Sequence, residues 1–193
     1  MEKTGVQRLA GVLKILVTIT FVCNLAALFL VPGLAMLRSP EELIVGIVYF
    51  GQGGWFAVLL RLFGFFLAAW QEVWMFGGLY AAVLTAFLLF CGLCTAVILW
   101  QGRRVLNTIL AGDTFTFGNA ANMRRAGVCC FLISAAALGR TAWGLAYYAS
   151  PAPLLTYNAL FVPVFLMAGL LCMVMSALFR QAAELKAEND LTI

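Results

Sequence analysis

Cys91 and Cys94 form a C-x-x-C pair, the one spacing in this chain that points toward redox chemistry. A membrane thiol oxidase would need such a pair near the outer surface and a second pair to exchange with it. The six cysteines (Cys23, Cys91, Cys94, Cys129, Cys130 and Cys172) all sit inside apolar runs. There a cysteine serves as a small apolar residue, and no disulfide is expected. Histidine is absent, which removes the commonest general base and most zinc, haem and copper ligand sets. No Asp or Glu falls within an apolar run, which argues against a carboxylate proton relay. Ser134, Ser150 and Ser176 have no base to activate them, and no Gly-rich phosphate loop occurs. The residues therefore predict a non-enzymatic protein without metal or cofactor.

Arg140 is the exception to this apolar chemistry. It lies about 14 residues into a long apolar run, about 21 Å from that run's inner end at 1.5 Å per residue. A charge at that depth needs a partner, or marks a functional site. Glu72 is the best candidate for the partner, with Glu41 and Glu42 behind it. One reading is a structural ion pair, or a side chain snorkelling to the interface. The other is an outward-facing pocket for an anionic ligand or lipid headgroup, lined by Arg140, Trp143, Glu72 and Arg61.

The elements that must position these residues are helices. With 64% of its 193 residues hydrophobic and 10% charged, the chain is far more apolar than a soluble domain. Four runs reach the roughly 20 residues needed to span a bilayer: 12–36, 74–100, 126–149 and 157–179. They are too long, and too poor in strict alternation, for barrel strands. The expected fold is an all-α membrane protein with four transmembrane helices in one domain. The first run is longer than a signal-peptide core and lacks a clear cleavage site, so it reads as a retained span. Pro32 and Gly33 are expected to loosen its end. Residues 41–71 are apolar too, but Gln52, Gly53 and Gly54 break the stretch and Arg61 interrupts its remainder. They read as an interfacial or re-entrant helical segment on the outer side, with Trp55, Trp70 and Trp74 as belt anchors and Trp100 marking the inner belt.

Orientation follows from charge. Lys3 and Arg8 precede span one and Lys14 lies in its first turn, Arg103, Arg104, Arg124 and Arg125 separate spans two and three, and Arg180 and Lys186 follow span four. These nine are most of the twelve basic residues, so both termini and the loop 101–125 are expected in the cytoplasm. The net charge of +4 then needs no nucleic acid to explain it. The loop arginines set topology and meet anionic lipid. Within the loop, Gly112 is placed to end a helix, Asp113 and Thr114 to turn, and a new helix to begin near Thr116. The helix of span four is expected to project as the tail 180–193, with Asn189 a possible cap. Small residues should pack the spans: Ala168, Cys172 and Ser176 on span four, Gly77 with Ala81, and Ala135 with Gly139. A homo-oligomer seam is the alternative use of these stripes.

Two segments on the Arg-rich side carry more character than connectors require. The loop stretch LNTILAGDTFTFGN at 106–119, followed by MRRAG at 123–127, shows a Gly, a polar residue, Phe and Asn before a basic pair enters a span. The tail reads FRQAAELKAENDLTI from Phe179 to the last residue. In both, and in its four-span layout, the chain resembles the uncharacterised YoaS-like group of bacterial membrane proteins. Two departures are the stretch 43–70, which has no clear counterpart, and Thr114, where the group more often has proline. The resemblance implies a location in the bacterial cytoplasmic membrane. It also implies a partner, because members are often encoded beside a small Xre/Cro-like helix-turn-helix regulator. It brings no catalytic residues.

Together these readings predict a sensor or sequestering partner of such a regulator, with the bilayer as its other contact and no direct hold on nucleic acid. Phe115, Phe117 and Asn119 with Glu184, Glu188, Asn189, Asp190, Leu191 and Ile193 are the expected docking residues. A small transporter or accessory subunit, binding a hydrophobic or anionic solute near Arg140, is the second reading. A purely structural membrane-stress protein is the third.

Overall fold

The computed structural model describes residues 5–36, scattered positions between 54 and 75, and 78–190. Four long helices account for nearly all of these: α1 (Gly5–Met36), α2 (Gly78–Leu110), α3 (Phe117–Tyr148) and α4 (Tyr157–Asp190). A 3-10 turn, Ala152–Leu155, joins α3 to α4. All four helices are long and apolar enough to cross a membrane, which is the architecture of a multi-pass membrane protein. Large apolar side chains stay exposed along every one of them, for example Ile15 on α1, Leu93 on α2, Leu138 on α3 and Leu171 on α4. In water such a surface would drive aggregation; in a bilayer it faces acyl chains.

Several local expectations hold. α2 ends at Gly112, whose φ of +85° suits glycine's freedom in the left-handed region. Around it Asp113 N–H reaches the Thr108 carbonyl (3.0 Å) and Gly112 N–H the Ile109 carbonyl (3.1 Å), satisfying carbonyls of the last turn. α3 starts on Thr116, whose side chain accepts from Asn119 N–H. α1 continues helical through Pro32 and Gly33 to Met36, since a proline there removes only one donor. α4 is unbroken to Asp190, so Asn189 lies within the helix and does not cap it. The expected partner residues Glu41, Glu42 and Glu72, together with Arg61, Trp55 and Trp74, lie outside the described residues.

Contacts divide the chain into two compact units, Met1–Asn24 with Cys91–Ile193, and Leu25–Phe90. In the second unit Val73 and Thr85 are fully buried, with Ala81 and Phe87 nearly so. In the first, Asn24 Nδ2 donates to the Gly92 carbonyl (3.0 Å) and Phe21 lies 5.9 Å from Trp100.

The tightest packing in that first unit joins α3 to α4 as an antiparallel hairpin. A Cβ added at Gly127 would stand 3.1 Å from the Gly169 carbonyl and 3.2 Å from Cys172 Cβ. One added at Gly169 would stand 2.7 Å from the Phe131 ring. Two hydroxyls fasten the same interface, Ser176 to the Ala120 carbonyl (2.7 Å) and Ser134 to the Val162 carbonyl (2.8 Å). The Ser134 bond lands on the turn at Pro163, where the ring removes a backbone donor. Cys172 and Ser176 thus pack as expected. Ala135 and Gly139 do not: Ala135 is exposed, and a Cβ on Gly139 would meet nothing.

Gly139→Ala is therefore neutral or stabilising, by up to about 1 kcal/mol of helix propensity. Gly169→Ala gains the same propensity but must displace the Phe131 ring, and overpacking of that kind costs about 1–3 kcal/mol. Thermal unfolding of the two variants in detergent should move in opposite directions.

Candidate functional site

The basic, sequence-specific ends of α2, α3 and α4 converge. Asn119, in the first turn of α3, is fully buried. Its Nδ2 donates to the Thr114 carbonyl (2.8 Å) and to the Thr108 hydroxyl (2.7 Å). That hydroxyl in turn donates to the Val105 carbonyl (2.7 Å) on α2. The connection from Ala111 to Thr116 is thereby held at both ends, by the glycine stop of α2 and by this buried amide. Asn119 was expected to face a partner; a fully buried side chain instead fixes the loop that presents its neighbours.

Beneath the loop, Val105, Ala120 and Phe179 form an apolar cluster flanked by Ile109, Met123 and Met175. Phe115 lies over it, 6.2 Å from the Phe179 ring. Further along α4, Lys186 Nζ pairs with Asp113 Oδ1 at 2.9 Å, so the tail is tied to the loop. Arg180 pairs with Glu184 one turn on, also at 2.9 Å. Of the expected docking residues, Phe115, Phe117, Glu184, Glu188 and Asn189 are exposed around one platform, with exposed Leu185 beside them. Leu191 and Ile193 lie outside the described residues, as does the side chain of Asp190.

At the opposite end of the hairpin stands Arg140. Its Nη1 approaches Asn158 Oδ1 at 3.5 Å. Asn158 Nδ2 donates to the Thr141 hydroxyl (2.9 Å) and the Ala137 carbonyl (3.3 Å). Trp143 stacks on Tyr147 at 5.1 Å, and Tyr147 meets Tyr148 edge-on. Asn158 was missed in the sequence because a polar residue opening a span reads as a mere boundary. Arg140 and Asn158 are evenly spaced about Tyr148 and Ala149, and so are Ser134 with Val162 and Ala120 with Ser176. That axis lies at the end of α3, before Ser150 and Pro151, so folding the chain about those two residues would have set Arg140 against residue 161 and missed Asn158.

Cys91 and Cys94 of the C-x-x-C lie near one another on α2, both as free thiols. Cys94 reaches Cys129 on α3, and Cys130 reaches Cys172 on α4. All six are free thiols, and among the described residues no three ligands gather for a metal. Cys94, Cys129, Cys130 and Cys172 thus sit where helices meet, which fits packing by small residues.

Magnitudes separate what holds the platform. Phe179→Ala removes a buried ring and should cost about 3 kcal/mol. Lys186→Ala removes an exposed ion pair and should cost less than about 1 kcal/mol. Asn119→Ala strands buried groups and should cost about 1–3 kcal/mol. Unfolding of the three variants in detergent checks the order.

Neither a curated relative nor a solved structure matches the chain at a significant level. A family described as a protein of unknown function (DUF2975) matches residues 70–193. The matched part holds the loop, the tail and the whole α3–α4 hairpin with Arg140 and Asn158. Residues 1–69, with α1 and most of the segment 41–71, fall before it. Because the match covers most of its length, the chain belongs to the DUF2975 family.

Proposed function

We propose that this protein is a non-enzymatic integral membrane protein that docks a small cytoplasmic helix-turn-helix regulator on its Arg-rich end. Both termini and the loop lie in the cytoplasm in this reading, in a bacterial cytoplasmic membrane, as the one-sided basic residues favour. The observation that carries the proposal is the union of loop and tail. The two segments with the most sequence character are far apart in the chain, yet Asp113 meets Lys186 and Phe115 meets Phe179. The result is a platform with exposed Phe115, Phe117 and Leu185 among charged groups. Exposed aromatics ringed by polar residues are what a protein partner buries. Control of the regulator requires two arrangements of the helices with different affinity for it. The outer segment 41–71 and Arg140 would sense a lipid, small amphiphile or membrane state.

A small helix-turn-helix regulator, if one is encoded beside this gene, should co-purify with the full chain. It should be lost with a chain ending at Arg180, and bind about tenfold or more weakly to Phe117→Ala, as for an aromatic anchor. Equal recovery by all three would remove loop and tail from the mechanism.

A second reading draws on the half-buried polar group of Arg140, Asn158 and Thr141, which suits an anionic solute or amphiphile in a small transporter or accessory subunit. Thermal stabilisation of the wild type by an anionic amphiphile, absent in Arg140→Ala, would favour it over regulator docking.

A further inference from the structure

A cavity of about 540 Å³ lies between α2 and α3, lined by Val97 on α2 and by Ala121, Arg124, Arg125, Val128 and Cys129 on α3. The α3 positions follow the i, i+3, i+4, i+7, i+8 pattern of a single helix face. Polarity changes along that face. Arg124 and Arg125 stand at one level, and Val128 and Cys129 stand one turn deeper, about 6 Å further at 1.5 Å per residue. Before Ala126, α3 carries Asn119, Asn122 and the two arginines; after it comes an apolar run. The groove therefore crosses from headgroup level to acyl level within one turn.

Among the described residues, the cations on this end of α2, α3 and α4 divide into those with a carboxylate partner and those without one, Arg103, Arg104, Arg124 and Arg125. Arg180 has Glu184 and Lys186 has Asp113. The side chains of Arg124 and Arg125 are both exposed. Adjacent guanidinium groups offer planar forks that match phosphate oxygens. An anion held there would meet an apolar wall directly below, formed by Val97, Val128 and Cys129. A free phosphate has no use for that wall, whereas a phospholipid does. The cavity takes a headgroup and the upper part of the acyl chains, and the rest of the lipid stays in the bilayer.

We propose that the groove between α2 and α3 is a specific site for an anionic phospholipid, its phosphate held by Arg124 and Arg125 and its upper acyl chains against Val97, Val128 and Cys129. This proposal does not depend on the regulator reading.

The test uses the full chain purified in neutral detergent, titrated with phosphatidylglycerol, phosphatidylcholine or inorganic phosphate. Binding is read by native mass spectrometry and by thermal stabilisation. Phosphatidylglycerol should bind saturably and raise the unfolding temperature, and phosphatidylcholine and inorganic phosphate should not. The double variant Arg124→Gln/Arg125→Gln should weaken phosphatidylglycerol binding roughly tenfold or more, from the pull of two juxtamembrane charges. Val128→Trp keeps every charge and fills the groove, and should weaken binding as much. Arg103→Gln/Arg104→Gln, which removes the same charge elsewhere on this end, should leave it within about twofold. Three outcomes would overturn the proposal. Equal loss in the Arg103/Arg104 variant would mean diffuse attraction to the basic end. Full binding by Val128→Trp would mean the groove is not used. Stabilisation by inorganic phosphate matching that by phosphatidylglycerol would mean a free-anion site.

Discussion

The close approach of α3 and α4 at Gly127 and Gly169 is the constraint from which most of the structure follows. Inside a bilayer, burying apolar side chains gives helices little reason to associate, because lipid is as apolar as leucine. Helix pairing must come from close van der Waals contact and from hydrogen bonds that lipid cannot supply. With a Cβ on Gly127 only 3.1 Å from the facing carbonyl, the two backbones are as near as side chains allow. Two hydroxyl-to-carbonyl bonds from Ser134 and Ser176 then fix the register on either side of that contact. Once the register is set, both ends of the hairpin are determined. Arg140 must face Asn158 at one end, and the start of α3 must face the last turns of α4 at the other.

The Arg-rich end shows how unequal its fastenings are. The ion pair between Lys186 and Asp113 is the most visible link from tail to loop, yet its partners are each more than half exposed and such pairs are worth little. The apolar cluster around Phe179 and the buried amide of Asn119 hold the platform. The ion pair adjusts where the tail lies over it. This division fits the docking role proposed above, since buried contacts hold the loop while the Lys186–Asp113 pair over it is exposed. A partner that competes for Lys186 or Asp113 displaces little.

Much of this was legible in the sequence, and the limits have physical causes. The spans, the glycine stop at Gly112 and the cap at Thr116 were readable because each depends on residues within a few positions of one another. Gly127 and Gly169 could not be paired, because neither differs from a dozen other small residues until the register is known. Asn119 was misread for a related reason. A polar residue in a connection is ordinarily solvated, and only the facing Thr108 and the Thr114 carbonyl turn it inward. Asn158 was out of reach for the same reason, since the hairpin folds about Tyr148 and Ala149 and not about Ser150 and Pro151, a shift that only the register reveals. Ala135 and Gly139 have the spacing of a packing stripe, but spacing alone carries no information about which face a neighbour covers.

The opening turns of α3 bring the two proposed surfaces onto one element. Ala120, Met123 and Gly127 turn toward α4, where the apolar cluster and the glycine contact engage them. Ala121, Arg124, Arg125 and Val128 line the groove beside α2. A helix packed along one face against α4, and pinned at its start by a buried amide, has little freedom to rearrange locally. An event in the groove is then felt at the platform only as a movement of α3 as a whole, and such a movement must strain the contacts at Gly127 and Asn119. Coupling between a lipid and a docked protein would in that case be a matter of differential affinity for two positions of one rigid helix. A loosening of the loop would not produce it, because the loop is the part that the buried hydrogen bonds hold most firmly.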